Sequence, residues 1–172
     1  MDFETVNKAI RGNHKAFETI VTEMNEQVYR IAICYLHNEQ DALDVISSSM
    51  LYAYKYIGKL KNQGYFSTWY IKIVINECKK VLDKRIHVIE LESSPDADFY
   101  EDDPENIDLL DALNSIPEQD RLIIYLKYYQ GYTLKEIGEI LDLPHNSVKT
   151  RLYRRLDSLK LQLSYEEEIS NE

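Results

Sequence analysis

The chain has 172 residues, a length for one ordinary domain or two small ones, and 44% hydrophobic content, enough to bury one or two compact cores and too much for wholesale disorder. Only 5 Gly and 4 Pro are present, few for a turn-rich β fold, and no apolar run is long enough to span a membrane. The net charge of −10 argues against a nucleic-acid binder until its distribution is read, because local charge is what meets phosphate.

That distribution is uneven. Residues 86–105 carry eight acids and no Lys or Arg, and Glu166, Glu167, Glu168 and Glu172 crowd the last nine positions. Residues 59–85 hold seven bases against two acids, and residues 143–163 hold five bases against one. Two basic patches are separated by an acidic strip. Met1-Asp2-Phe3-Glu4 lacks the basic-then-apolar profile of a signal peptide, so a cytoplasmic protein is expected.

In chain order, residues 2–10 predict a short helix ending at Arg11-Gly12. From about 14 to 37, Phe17, Ile20, Val21, Met24, Val28, Ile31, Ala32 and Tyr35 recur at three and four, one face of a long helix. Cys34 lies in this pattern, and Cys78 in a later one; both read as buried thiols rather than a standing disulfide. After a polar break at His37-Asn38-Glu39, a helix over about 39–57 has Ala42, Val45, Ile46, Met50, Ala53, Tyr54 and Ile57 as its core face. Gly58 through Gly64 is a polar loop. A fourth helix, about 66–84, buries Ile71, Val74, Ile75, Cys78 and Leu82.

Ile86 through Leu91 has the composition of a short strand but no partner strand, and is taken as the entry to a linker. The following stretch, with Pro95, Pro104 and the acidic run, has too little apolar content to pack and reads as flexible and solvated. Ile107, Leu110, Leu113 and Ile116 then mark a short helix. Pro117 opens the next, in the first turn where its missing N–H costs nothing, and Leu122, Ile123, Leu126 and Tyr129 follow before Gly131. Thr133-Leu134-Lys135-Glu136 has the spacing of a capping box. The short helix it starts ends near Asp142, and a last helix runs from about 145 to 163. The fold class is therefore all-α: two small helical domains, 1–88 and 105–163, joined by an acidic linker, 89–104, with an acidic tail, 164–172.

The most specific feature is residues 133–161, a capped short helix, a tight turn and a longer basic helix. Val148, Leu152, Leu156 and Leu159 give the second helix a buried stripe, leaving Lys149, Thr150, Tyr153 and Arg154 exposed near its start, with Arg151 and Arg155 on the flanks. In a helix-turn-helix the first residues of the second helix enter the major groove while flanking bases hold phosphates. Arg and Lys read guanine edges, and Thr meets a thymine methyl or a phosphate. A basic helix that only solvates one face is the plainer reading; the capping box and turn argue against it.

The fourth helix opens with Tyr65, Phe66, Trp69 and Tyr70 and continues through Lys72, Lys79, Lys80, Lys84 and Arg85. Rings beside cations suit single-stranded DNA, whose bases stack while its backbone tracks the charges. Alone the signal is weak, because aromatics at helical spacing are core more often than platform.

In this order the two halves resemble sigma factors of the sigma-70 family, extracytoplasmic-function (ECF) type, over roughly residues 5–162. The similarity rests on Ala16-Phe17-Glu18, Val28 through Ala32 and Asp41 through Val45 in the first helices, and on Phe66 through Asn76. It continues through Ile116-Pro117-Glu118-Gln119-Asp120-Arg121, Gly131 through Ile137, and Ser147 through Arg154. The resemblance implies an alternative sigma factor, not an enzyme, with no metal or cofactor. The third helix, at Asp41, Asp44, Val45 and Ser48, would dock on the clamp of the largest polymerase subunit. Lys61, Asn62 and Gln63, with Phe66, Trp69, Lys72, Asn76, Lys79 and Lys80, would open the promoter −10 element and hold a flipped base. Ser147, Lys149, Thr150, Arg151, Tyr153 and Arg154 would hold the −35 duplex, while the same domain touches the polymerase flap. The linker would thread toward the RNA exit region. An anti-sigma factor, in this family often membrane-anchored, would keep the protein silent. Ser47-Ser48 stands where the family usually has Gln-Glu, and Lys61-Asn62-Gln63 replaces a commoner Arg-Gly-Asp-like loop.

Two other readings of the sequence stand beside this one. A helix-turn-helix regulator without sigma activity would carry a sensory domain of alternating strands and helices, which the helical first half argues against. An enzyme is poorly supported: His14, His37, His87 and His145 are scattered, without metal-ligand pairing or a nucleophile motif.

Overall fold

Asp2 starts the first helix by accepting hydrogen bonds from the Glu4 and Thr5 N–H groups, each at 3.1 Å. The computed structural model describes residues 2–89 and 116–170, and the chain divides into two compact units, one on each side of the gap between them. Every regular element among the described residues is helical.

In the first unit, helices α1 (Phe3–Ile10) and α2 (His14–Glu23) pack together, and α3 (Asn25–Leu36), α4 (Glu39–Tyr56) and α5 (Phe66–Ile89) pack on one another. Asn13 and Asn38 cap α2 and α4, accepting from Ala16 N at 3.0 Å and Asp41 N at 2.9 Å. Two 3-10 turns, Ile57–Lys59 and Gln63–Tyr65, carry the chain from α4 to α5. Ile20, Val28, Ile31, Ala42, Ile71, Val74 and Ile75 fill the core. Each buried Ile or Val side chain among them contributes roughly 1.5–3 kcal/mol, whereas the Lys8–Glu4 and Arg30–Glu26 ion pairs lie in water that screens them. The apolar stripes, not the surface pairs, hold this unit.

The helix expected over 14–37 is two helices. At Met24 the backbone turns to φ −96°, ψ −2°, and its N–H reaches back three residues to Val21 O at 3.1 Å. Met24 is itself buried, so the apolar stripe passes through the bend and conceals it from periodicity. Tyr54, expected in the core, is 45% exposed and packs its ring on Phe17 and His14, with its hydroxyl on His14 Nδ1. The helix expected to end near 84 runs to Ile89, which removes the strand-like reading of Ile86 through Ile89. Arg85 anchors that extension by donating to Leu36 O at 3.2 Å, at the end of α3, and by pairing with Asp41 at the start of α4.

Cys78 is fully buried and Cys34 half-buried, and neither is in a disulfide. Burial pushes the Cys78 thiol up to about 12. Folding thus holds this proton more tightly than an unfolded thiol with its ordinary value of 9.0, so stability falls as pH rises from there toward 12. Alkylation of the native chain near about pH 8 is expected to stop at Cys34, with Cys78 reacting only after denaturation. Mass spectrometry of the labelled chain checks this. Equal native labelling of both would contradict the burial.

Among its described residues the second unit has α6 (Glu118–Tyr128), α7 (Leu134–Leu141) and α8 (His145–Ser170). Leu122, Ile123, Leu126, Ile137, Ile140, Leu141, Val148 and Leu152 form its core. Pro117 is the residue before α6 rather than in its first turn: with ψ 140° it is extended, and its carbonyl accepts from Asp120 and Arg121. Tyr129 lies past the end of α6 and is 74% exposed, so it leaves the expected core. Leu143 and Leu156 are half-buried. The last helix extends to Ser170, beyond the expected end at 163. The expected linker from residue 90 onward, the helix marked by Ile107, Leu110 and Leu113, and the last two residues of the tail lie outside the described residues.

Candidate nucleic-acid interface

The second unit presents its basic helix through three local devices. Thr133 Oγ1 accepts from Glu136 N at 3.2 Å, and the Glu136 carboxylate accepts from Thr133 N at 2.8 Å, the reciprocal pairing its spacing predicted. The Thr133 hydroxyl, first, and its backbone N–H hold the Glu136 carboxyl below its ordinary value, so this cap is intact at neutral pH and weakens as acid protonates it. Asp142 then ends α7 in the left-handed region, φ 57°, and Leu143 N donates to Gly138 O at 2.9 Å. The Leu143 carbonyl passes so close that a Cβ on Gly138 would lie 2.7 Å from it. Pro144 O accepts from Ser147 and Val148 N–H, starting α8 directly after the turn.

Lys149, Thr150, Tyr153 and Arg154 are exposed on α8, and Ser147 is half-buried at its start. Val148 and Leu152 are buried against α6 and α7, which fixes the outward direction of the exposed set. Arg151 does not join that set. Its guanidinium donates to Gln119 Oε1 and lies 3.3 Å from Asp120 Oδ1 on α6. Periodicity places Arg151 on a flank but cannot identify the carboxylate it meets.

In the first unit, Tyr52, Tyr56, Lys59, Leu60, Lys61 and Trp69 line a shallow cleft of about 350 Å³. The Tyr52 and Tyr56 ring centroids are 4.4 Å apart, and Lys59 Nζ and Lys55 Nζ lie 4.9 and 5.5 Å from the Tyr56 ring. Cations over the half-buried Tyr56 ring, beside the exposed Tyr52 ring, give a surface on which a flat group can stack. Of the residues expected there, Lys61 and Trp69 line the cleft. Asn62 folds its own loop, accepting from Gly64 N at 2.9 Å, with Gln63 half-buried beside it. Lys80 is exposed and pairs with Glu77 at 2.6 Å, while Lys72, Asn76 and Lys79 are half-buried along α5.

Phe66 is a correction. Its ring has no exposed surface and stacks on Tyr70 at 5.8 Å, so it belongs to the core and offers no face to a base. Tyr52 and Tyr56 were missed, although their spacing of four on α4 was legible as one face.

On α4, Asp44 and Ser48 are exposed, as are Leu43 and Leu51, the latter 72%. Val45 is buried, and Asp41 is taken by Arg85, so neither is free on that face. Leu51 lies outside the core face read from the sequence, and no motif there assigns it a role. Among the described residues no group of His, Cys, Asp or Glu gathers as a metal site, and no helix is long and apolar enough to cross a membrane.

Residues 20–86 match the family model of Sigma-70 region 2, and residues 107–159 match that of Sigma-70, region 4. RNA polymerase sigma factor SigV of Bacillus subtilis (strain 168) is 33% identical over 156 residues, spanning 87% of this chain and 92% of that protein. ECF RNA polymerase sigma factor SigW of the same strain is 27% identical over 176 residues, spanning 92% and 94%. Among solved structures, the sigma factor RpoE in complex with the anti-sigma factor NepR, from Bartonella quintana, has a similar fold. Its TM-score is 0.73 at 18% identity, covering 87% of this chain and 98% of that one.

Proposed function

Because the chain belongs to the sigma-70 family of RNA polymerase sigma factors, in its extracytoplasmic-function group, we propose a specific division of labour among its surfaces. The protein is an alternative sigma factor: it binds core polymerase and directs it to promoters, and the polymerase supplies the catalysis. The exposed face of α4, at Asp44, Ser48, Leu43 and Leu51, docks on the clamp of the largest subunit. The cleft of Tyr52, Tyr56, Lys59, Lys61 and Trp69 receives a base from the −10 strand, and Lys72, Asn76, Lys79 and Lys80 follow its backbone. Ser147, Lys149, Thr150, Tyr153 and Arg154 contact the −35 duplex. The second unit also touches the polymerase flap, and the acidic linker that follows α5 leads toward the RNA exit region.

This work is done where polymerase and chromosome are, in the cytoplasm. The similarly folded RpoE is known in complex with the anti-sigma factor NepR, and a partner of that kind silences this chain by covering the surfaces that polymerase and DNA need.

One observation carries the reading: a helical unit with an aromatic and basic cleft precedes a unit with an outward basic recognition helix in the same chain. Run-off transcription with core polymerase tests it. Addition of the chain is expected to produce discrete transcripts whose start sites share paired upstream sequences. A chain that binds duplex DNA yet never alters initiation by core polymerase would favour a plain helix-turn-helix regulator and overturn the reading.

A further inference from the structure

Three arginines leave α8 from neighbouring positions, and one buried carboxylate receives them unequally. Asp120, in the first turn of α6, has a side chain only 4% exposed. Arg155 Nε donates to its Oδ2 at 2.6 Å. Arg151 Nη1 donates to its Oδ1 at 3.3 Å and also to Gln119 Oε1. Arg154 Nη2 stands 3.8 Å from Oδ2, beyond hydrogen-bond length, and its side chain is 64% exposed.

The consequences of moving each cation differ. Removing Arg155 or Arg151 to a phosphate would strip hydrogen bonds from a buried carboxylate, which is costly because water cannot replace them. Arg154 gives up only a long, solvent-screened attraction. Two of the three arginines are therefore retained by the protein and one is released to DNA.

We propose that Asp120 is a specificity-determining positioning residue, which withholds Arg151 and Arg155 from the DNA backbone and leaves Arg154 to act with Lys149, Thr150 and Tyr153. Cations on phosphates raise affinity for every sequence alike, whereas base contacts discriminate. By holding two cations inward, Asp120 lowers the sequence-blind part of binding and raises the promoter's advantage over other DNA. The inference rests on α8 being the −35 reader and adds a residue from outside that helix.

The test uses the full chain with core polymerase, bound to a duplex carrying its −35 element and to an unrelated duplex, over a series of salt concentrations. R154Q is expected to reduce the salt slope by about 0.9, the value for one phosphate contact, and R151Q to leave it unchanged. D120N is expected to steepen the slope on the unrelated duplex by about 0.9 for each arginine it frees, and to narrow the promoter's advantage. A purely scaffolding Asp120 would lower the folded fraction without steepening any slope. If D120N fails to fold, the contrast between R151Q and R154Q decides alone. Equal slope losses in those two variants overturn the sorting while leaving the −35 reading intact. A wild-type complex with no preference for promoter DNA overturns both.

Discussion

Phe66→Ala is expected to destabilise the first unit by about 3–5 kcal/mol, while Trp69→Ala, three residues later, leaves the unit folded and impairs promoter opening. The two rings lie 6.0 Å apart between centroids but in different environments. Phe66 has no exposed surface and stacks on Tyr70, whose buried phenol is itself pushed up to about 12, so truncation leaves a cavity among close-packed rings. Trp69 is half-buried on the rim of the cleft, with Tyr56 and Lys61 also lining it. Losing its indole removes one stacking face, worth about 1–3 kcal/mol per base. Thermal unfolding followed by circular dichroism reads the first effect, and heparin-resistant complexes with core polymerase read the second. A stable Phe66→Ala chain with defective opening would return Phe66 to the platform and contradict its burial.

Gly138→Ala is the second large effect. The new Cβ would meet the Leu143 carbonyl at 2.7 Å, closer than such contacts occur, and the neighbour is backbone that cannot swing away. Relief requires opening the turn, whose Leu143-to-Gly138 hydrogen bond and left-handed Asp142 set where α8 begins. Overpacking of this kind costs about 1–3 kcal/mol, a large share of what a small helical unit possesses. The proposed −35 contacts require α8 to leave that turn in one direction, so affinity for promoter duplex is expected to fall with stability. Hydrogen exchange is expected to show faster exchange confined to α7 and the start of α8, with the first unit unchanged. Unaltered exchange and unaltered affinity would mean that the turn yields freely.

The helices and the exposed basic side of α8 were legible because their signals are local. Thr133 and Glu136 sit three apart and meet as that spacing requires, and Val148 and Leu152 set the buried side of α8 from a spacing of four. Breaks that preserve the apolar stripe were not legible. Met24 is buried on both sides of its bend, so the pattern reads through it. Long-range partners were equally hidden: Arg151 lies 31 positions from Asp120, and Arg85 lies 44 from Asp41. Neither pairing leaves a trace in spacing, yet both withdraw residues from surfaces that the motifs had assigned to them. Gly138 gave a sign, a glycine inside a helical pattern, whose cause becomes visible only when Leu143 is seen above it.

In the proposed division of labour two helical units of one chain bring polymerase to a promoter, one holding duplex and the other receiving an unpaired strand. Permanganate footprinting of a promoter with core polymerase, with and without the chain, tests it most directly. The account predicts upstream protection of duplex together with reactive, unpaired thymines in the −10 element, both only when chain and core are present. Upstream protection by the chain alone, with no thymine becoming reactive when core polymerase is added, would contradict it.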